Sequence, residues 1–112
     1  MGAITTHVLD TARGCPAEGM PIVLEIFRDG QFSEVTRAVT NSDGRVTDFT
    51  QKGSLEAATY RITFETSVYF QKLNIQGFYP QVQVDFVITQ PNEHHHVPLL
   101  ISPFGFSTYR GS

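Results

Sequence analysis

Apolar and polar residues alternate with a period of two through most of the chain, the pattern of strands that bury one face. Ile4 to Asp10 reads as a first strand. Pro21 to Arg28 reads as a second, with Ile22, Leu24 and Ile26 on one face and Val23, Glu25 and Phe27 on the other. Asp29-Gly30 is a hairpin signal, because glycine readily takes positive φ, and Phe32 to Thr40 follows as a third strand. Asn41-Ser42-Asp43-Gly44 forms another turn, leading into a short strand from Arg45. Gln51 to Leu55 reads as loop. Ala58 to Glu65 alternates again, with Tyr60, Ile62 and Phe64 opposed to Arg61, Thr63 and Glu65.

The period changes once. Tyr69, Phe70 and Leu73 have the spacing of one helical face, so Thr66 to Leu73 reads as a helix capped by Thr66 or Ser67. Tyr79 to Thr89 returns to alternation, with Val82, Val84, Phe86 and Ile88 inward and Gln83 and Asp85 outward. Val87 breaks the polar face, which points to an interface. His94 to Ile101 reads as the next strand; Pro98 lacks a donor N–H and marks an edge or a bulge. Ser102 to Gly105 turns the chain into a last strand from Phe106 to Arg110. Seven or eight short strands and one brief helix predict an all-β fold, a two-sheet β-sandwich.

Composition agrees with that architecture. Nine Phe, four Tyr and recurrent β-branched residues favour strands, and 112 residues suit a single domain over 1–112 with one modest core. The net charge of −3 and scattered Lys and Arg exclude the basic footprint of a nucleic-acid partner or a membrane patch. No apolar run approaches the roughly 20 residues of a membrane span. No secretory leader precedes the first strand, so a cytoplasmic protein is expected. Met1-Gly2-Ala3-Ile4-Thr5-Thr6 fits the loose N-myristoylation pattern, but Thr6 falls within a strand. Cys15 is the single cysteine and cannot form an internal disulfide; it reads as a turn residue before Pro16.

Three features exceed what a plain sandwich needs. His7 lies mid-strand, and period-two geometry puts His94 and His96 on one face with His95 on the other. Imidazole titrates near neutrality, so positioned histidines suit proton transfer. Arg45 follows the Asp43-Gly44 turn, and its fork of donors suits a planar carbonyl or a developing anion. Tyr109-Arg110-Gly111-Ser112 closes the sequence directly after a strand, which points to a docked tail. On residue chemistry alone two other readings stand. His94, His96 and His7 could ligate zinc, with water as the fourth ligand. A channel with a few polar groups could instead carry a small aromatic ligand.

Three segments resemble the signatures of the 5-hydroxyisourate hydrolases, a family with the transthyretin fold. They are Thr5-Thr6-His7-Val8-Leu9-Asp10-Thr11, Asn41-Ser42-Asp43-Gly44-Arg45, and the closing run from His94 to Ser112. The terminal Tyr-Arg-Gly-Ser is the ending that separates these hydrolases from the hormone-carrying transthyretins. One departure is His95, where the family often has Tyr or Phe. The resemblance implies a transthyretin-like sandwich and hydrolysis of a ring amide of 5-hydroxyisourate, without metal or other cofactor. It implies catalytic roles for His7, Arg45, His96 and Ser112, and substrate contacts from His7, Arg45 and Tyr109. It also implies a homotetramer, a dimer of dimers, with sites between dimers where a neighbouring subunit's tail meets the histidines.

Overall fold

The computed structural model describes residues 3–47, 49 and 55–112. Nine strands and one helix are found among them: β1 (Ala3–Asp10), β2 (Cys15–Pro16), β3 (Pro21–Arg28), β4 (Gln31–Val39), β5 (Arg45–Val46), β6 (Ala58–Phe64), α1 (Thr66–Lys72), β7 (Val82–Ile88), β8 (His94–Ser102) and β9 (Gly105–Thr108). Of the expected loop at 51–55, residues 51–54 lie outside the described residues, as do Met1 and Gly2 of the acylation pattern.

Two sheets face each other. The first runs β2-β1-β8-β9, with β5 pairing β1 beside β2; the second runs β4-β3-β6-β7. Strands β1 and β8 are parallel, and the other strand pairs are antiparallel. The period-two pattern decides which side chains fill the space between them. Ile4 and Val8 of β1 and Leu99 and Ile101 of β8 are buried, as are Ile22 and Leu24 of β3 and Ile62 and Phe64 of β6. Each such side chain contributes about 1.5–3 kcal/mol of apolar burial. A one-residue slip would turn these rows outward, so the core fixes the register that carries the site.

The turns follow their sequence signals. Asp29 and Gly30 both take positive φ, 53° and 81°, closing the β3–β4 hairpin. At the next turn Asn41 Oδ1 accepts from the backbone N–H of Asp43 at 2.9 Å and of Arg45 at 3.0 Å. Gly44 has φ 73°, and a Cβ there would stand 2.4 Å from the Val8 carbonyl oxygen. Glycine is therefore required for this turn to lie against β1 and set Arg45 beside it.

Several local expectations change. Cys15–Pro16 is not only a turn: it makes a two-residue strand opposite Leu9 and Asp10. Thr66 does not cap the helix. Glu65 occupies the cap position without a side-chain bond, and the Thr66 hydroxyl donates to the Tyr79 carbonyl instead. A seven-residue helix is marginal by itself, so packing holds this one. Tyr69 and Phe70 are buried, and Tyr69 donates to Asp10 Oδ2 at 2.8 Å, tying α1 to the end of β1. Burial and the Asp10 carboxylate push the Tyr69 phenol up to about 12.

Pro98 is a further correction. It lies in β8 between β1 and β9, not on an edge strand. The β8–β9 ladder stops at Leu99 opposite Thr108, and one more bridge joins His96 to Gly111 in unchanged register. Tyr109 therefore stands opposite Pro98, where no N–H exists to bond it. This gap ends β9 at Thr108, short of the expected Arg110.

Candidate active site

The outer face of the first sheet collects the histidines and the arginine. Along β1 the buried residues are Ile4, Thr6, Val8 and Asp10, which leaves Thr5, His7 and Leu9 on the outer side. Along β8, His95 and Val97 point into the sandwich while His94 and His96 point out. Register then brings the groups together. His7 pairs with Arg45 across the β1–β5 ladder. Thr5, two residues back on the same face, pairs with His96 of β8. Beyond His96 lies Gly111, whose N–H donates to the His96 carbonyl at 2.8 Å. The row across the sheet is thus Arg45, His7 and Thr5, His96, and the chain's tail.

The charges in this row act on one another. Burial and the Arg45 charge hold His7 below its ordinary value, against opposing contributions from the Asp43 backbone and carboxylate. Burial holds His96 down as well, followed by Arg45, His94 and His7. Both imidazoles therefore favour the neutral, proton-accepting form, because burial disfavours the charged ring and a second positive charge beside Arg45 is unfavourable. No salt bridge joins Arg45, His7 or His96 to an acid among the described residues.

His94 and His96 lie with ring centroids 6.3 Å apart. Each directs a nitrogen at the Thr5 hydroxyl: His94 Nε2 at 2.8 Å and His96 Nδ1 at 2.8 Å. The described residues hold no group of three or more His, Cys, Asp or Glu arranged to grip a metal ion.

The tail is docked on its own chain. Arg110 Nη2 donates to Glu93 Oε1 at 3.2 Å and to the His94 carbonyl at 3.4 Å. Gly111 lies so close that a Cβ there would meet His96 Cδ2 at 2.6 Å. Ser112 follows directly, with an exposed side chain. Tyr109 lines a cavity of about 220 Å³ toward β7, together with His96 and with Val84, Phe86, His95 and Val97. His95 is buried there at 5% exposure, and its Nδ1 has no hydrogen-bond partner among the described residues. Burial first, then Arg110, shifts it toward the neutral form, against opposing contributions from Glu93.

Two residues gain importance that residue types alone did not give them. Thr5 touches both outward β8 histidines; its place two residues before His7 was the available signal. Gly111 owes its importance to a close approach that only three-dimensional pairing reveals.

The chain is similar to known proteins over nearly its whole length. A model of the HIUase/Transthyretin family matches residues 4–111. The 5-hydroxyisourate hydrolase of Salmonella dublin is 38% identical over 109 residues, 97% of this chain and 80% of that protein. The structure of Klebsiella pneumoniae 5-hydroxyisourate hydrolase superposes with a TM-score of 0.86 at 39% identity, covering 100% of this chain and 94% of that one. Sea bream transthyretin in complex with thyroxine reaches a TM-score of 0.91 at 24% identity, covering 96% and 93%; this likeness shows the fold alone. No helix among the described residues is long and apolar enough to cross a membrane. The chain belongs to the HIUase/Transthyretin family.

Proposed function

We propose that this protein hydrolyses 5-hydroxyisourate to 2-oxo-4-hydroxy-4-carboxy-5-ureidoimidazoline, a step of urate degradation. The observation that carries the proposal is the meeting of His7, Arg45 and His96 on one sheet face, each without a salt bridge among the described residues. The hydrolase names of relatives at about this level of identity across bacteria and mouse support it.

The chemistry needs a deprotonated water, a polarised carbonyl and a protonated leaving nitrogen. His7 and His96, held neutral, together activate the water. The water oxygen bonds to the ring carbonyl carbon, and its proton goes to an imidazole. Arg45 orients the substrate and stabilises the oxyanion. The ring C–N bond breaks and its nitrogen takes a proton from an imidazole. Ser112, next to the docked Gly111, hydrogen-bonds the water or a histidine, and Tyr109 contacts the substrate. The reading extends to a single hydrolase domain over 1–112 and to a cytoplasmic homotetramer, a dimer of dimers. In such an assembly the exposed Val87 is covered by a second copy.

The test is decay of freshly generated 5-hydroxyisourate, followed by its ultraviolet absorbance. The purified protein should accelerate decay well beyond the spontaneous rate. His7→Ala and His96→Ala should each lower turnover by about 10²–10⁴ with the circular dichroism spectrum retained. Decay at the spontaneous rate would overturn the proposal. Sedimentation of a single species at four times the chain mass checks the assembly.

A further inference from the structure

The Thr5 hydroxyl lies 2.8 Å from His94 Nε2 and 2.8 Å from His96 Nδ1. A hydroxyl carries one hydrogen. Donating to one imidazole while accepting from the other uses both of its roles, and the two nitrogens it touches then hold opposite protonation states. We propose that Thr5 is a positioning residue that couples His96 to the exposed His94, so that the proton taken from water is held on His94 until the leaving nitrogen needs it. This rests on the reading of His96 as a group that reacts with substrate water, and it assigns His96 Nε2 as the acceptor.

In the resting arrangement Thr5 donates to a bare His94 Nε2 and accepts from His96 Nδ1–H. Neutral His96 then has a bare Nε2, on the side of the ring away from Thr5. When that nitrogen takes a proton from the attacking water, its Nδ1 proton passes to Thr5 Oγ1. The Thr5 hydroxyl proton passes to His94 Nε2. His96 ends neutral with Nε2–H, Thr5 is again a hydroxyl, and His94 has gained one proton. When His96 Nε2 protonates the departing ring nitrogen, the three transfers run backward and the resting state returns. Every proton is accounted for, and no other reactant enters.

Placement explains why the charge moves outward. His96 sits beside Arg45 and His7 and is partly buried, so an imidazolium there is crowded by positive charge. His94 is exposed and keeps its hydration. The groups around it are Thr5 on β1, His96 on its own strand, and Glu93 and Arg110, which pair with each other at 3.2 Å.

Three single variants, one double variant and one spectrum test the coupling. Thr5→Val keeps the shape and removes the hydroxyl; Thr5→Ser keeps the hydroxyl. His94→Gln hydrogen-bonds Thr5 but cannot hold a proton. Thr5→Val and His94→Gln should each lower kcat about 10–100-fold, the scale for loss of a partner that orients a functional imidazole, with KM unchanged. The double variant should lose no more than either single one, and Thr5→Ser should restore kcat. In the wild type, ¹⁵N NMR of the imidazoles should show neutral His96 as the Nδ1–H tautomer, and Thr5→Val should abolish that preference. Wild-type kcat in Thr5→Val, equal loss in Thr5→Ser, or a wild-type His96 protonated on Nε2 would each overturn the proposal. The tautomer is read without substrate, so it decides the coupling even if the hydrolase reading fails. It also does so in the wild type if Thr5→Val does not fold.

Discussion

The two sheets turn unlike outer faces to their surroundings, although both bury apolar rows between them. On the β4-β3-β6-β7 sheet the arginines are matched to carboxylates. Arg61 makes a two-pronged pair with Asp85, at 2.7 and 3.0 Å, and its guanidinium also covers the Phe32 ring at 3.9 Å. Arg37 pairs with Glu34 at 2.9 Å, and Arg28 pairs with Glu56. The Arg61 hydrogen bonds hold the Asp85 carboxyl below its usual range, as a satisfied partner should. On the other sheet, Arg45, His7, His96 and His94 gather basic groups and depress two imidazoles instead of neutralising one another. Matched charges leave a face nothing further to do. Crowded basic groups hold nitrogens ready to accept protons and leave a guanidinium for an anion. The second condition is the one expected where proton transfer is carried out.

The contrast can be broken in graded ways. With both histidines kept, Arg45→Ala has the largest expected effect: kcat/KM should fall about 10²–10³-fold, the scale of one lost oxyanion donor. It should also move the acid limb of the pH profile. His7 and His96 are held low partly by Arg45, so the wild type keeps its bases neutral below the ordinary 6.5. Removing Arg45 lets both values rise, and activity should then be lost at higher pH than in the wild type. A pH–rate profile of both proteins checks the direction.

Gly111→Ala should come next. Its Cβ would collide with the His96 ring, so the tail must shift and kcat should fall about tenfold. Thermal unfolding should barely change, because the tail adds little core.

His95→Phe should act on stability rather than catalysis. It replaces a buried imidazole whose Nδ1 has no partner, and should gain roughly 1 kcal/mol. The sign with pH is specific. His95 is held below 6.5 when folded, so the unfolded chain binds the extra proton first as pH drops below 6.5. Wild-type stability should therefore decline through that window, until the folded value is reached, and His95→Phe should remove that share of the decline. Melting curves between neutral and mildly acidic pH measure it.

The smallest effect belongs to the matched face. Asp85→Asn should change turnover little and stability by about 0–1 kcal/mol, as for an exposed pair. A large loss of turnover there would erase the distinction between the faces.

Much of this was legible in the chain, for a physical reason. Strand faces follow from period-two burial, so the inward rows of β3 and β6 and the split of His94 and His96 from His95 could be read residue by residue. Turns with one chemical solution, Asp29-Gly30 and Asn41 to Gly44, were equally plain. Pro98 was misplaced because sequence shows a missing donor but not which neighbour would have received it. Thr66 looked like a cap because its hydroxyl is local in sequence, yet its partner is the Tyr79 carbonyl 13 residues away. At the site, His7, Arg45 and His96 stood out by type. Thr5 and Gly111 did not, since a hydroxyl and a glycine acquire meaning only from what strand pairing sets against them.

A cycle of single and double variants at His7 and His96 tests the central claim most directly. If the two imidazoles serve one hydrolytic event beside Arg45, the double variant should turn over 5-hydroxyisourate no more slowly than the weaker single one. Losses that multiply, or turnover preserved in either single variant, would contradict a shared site.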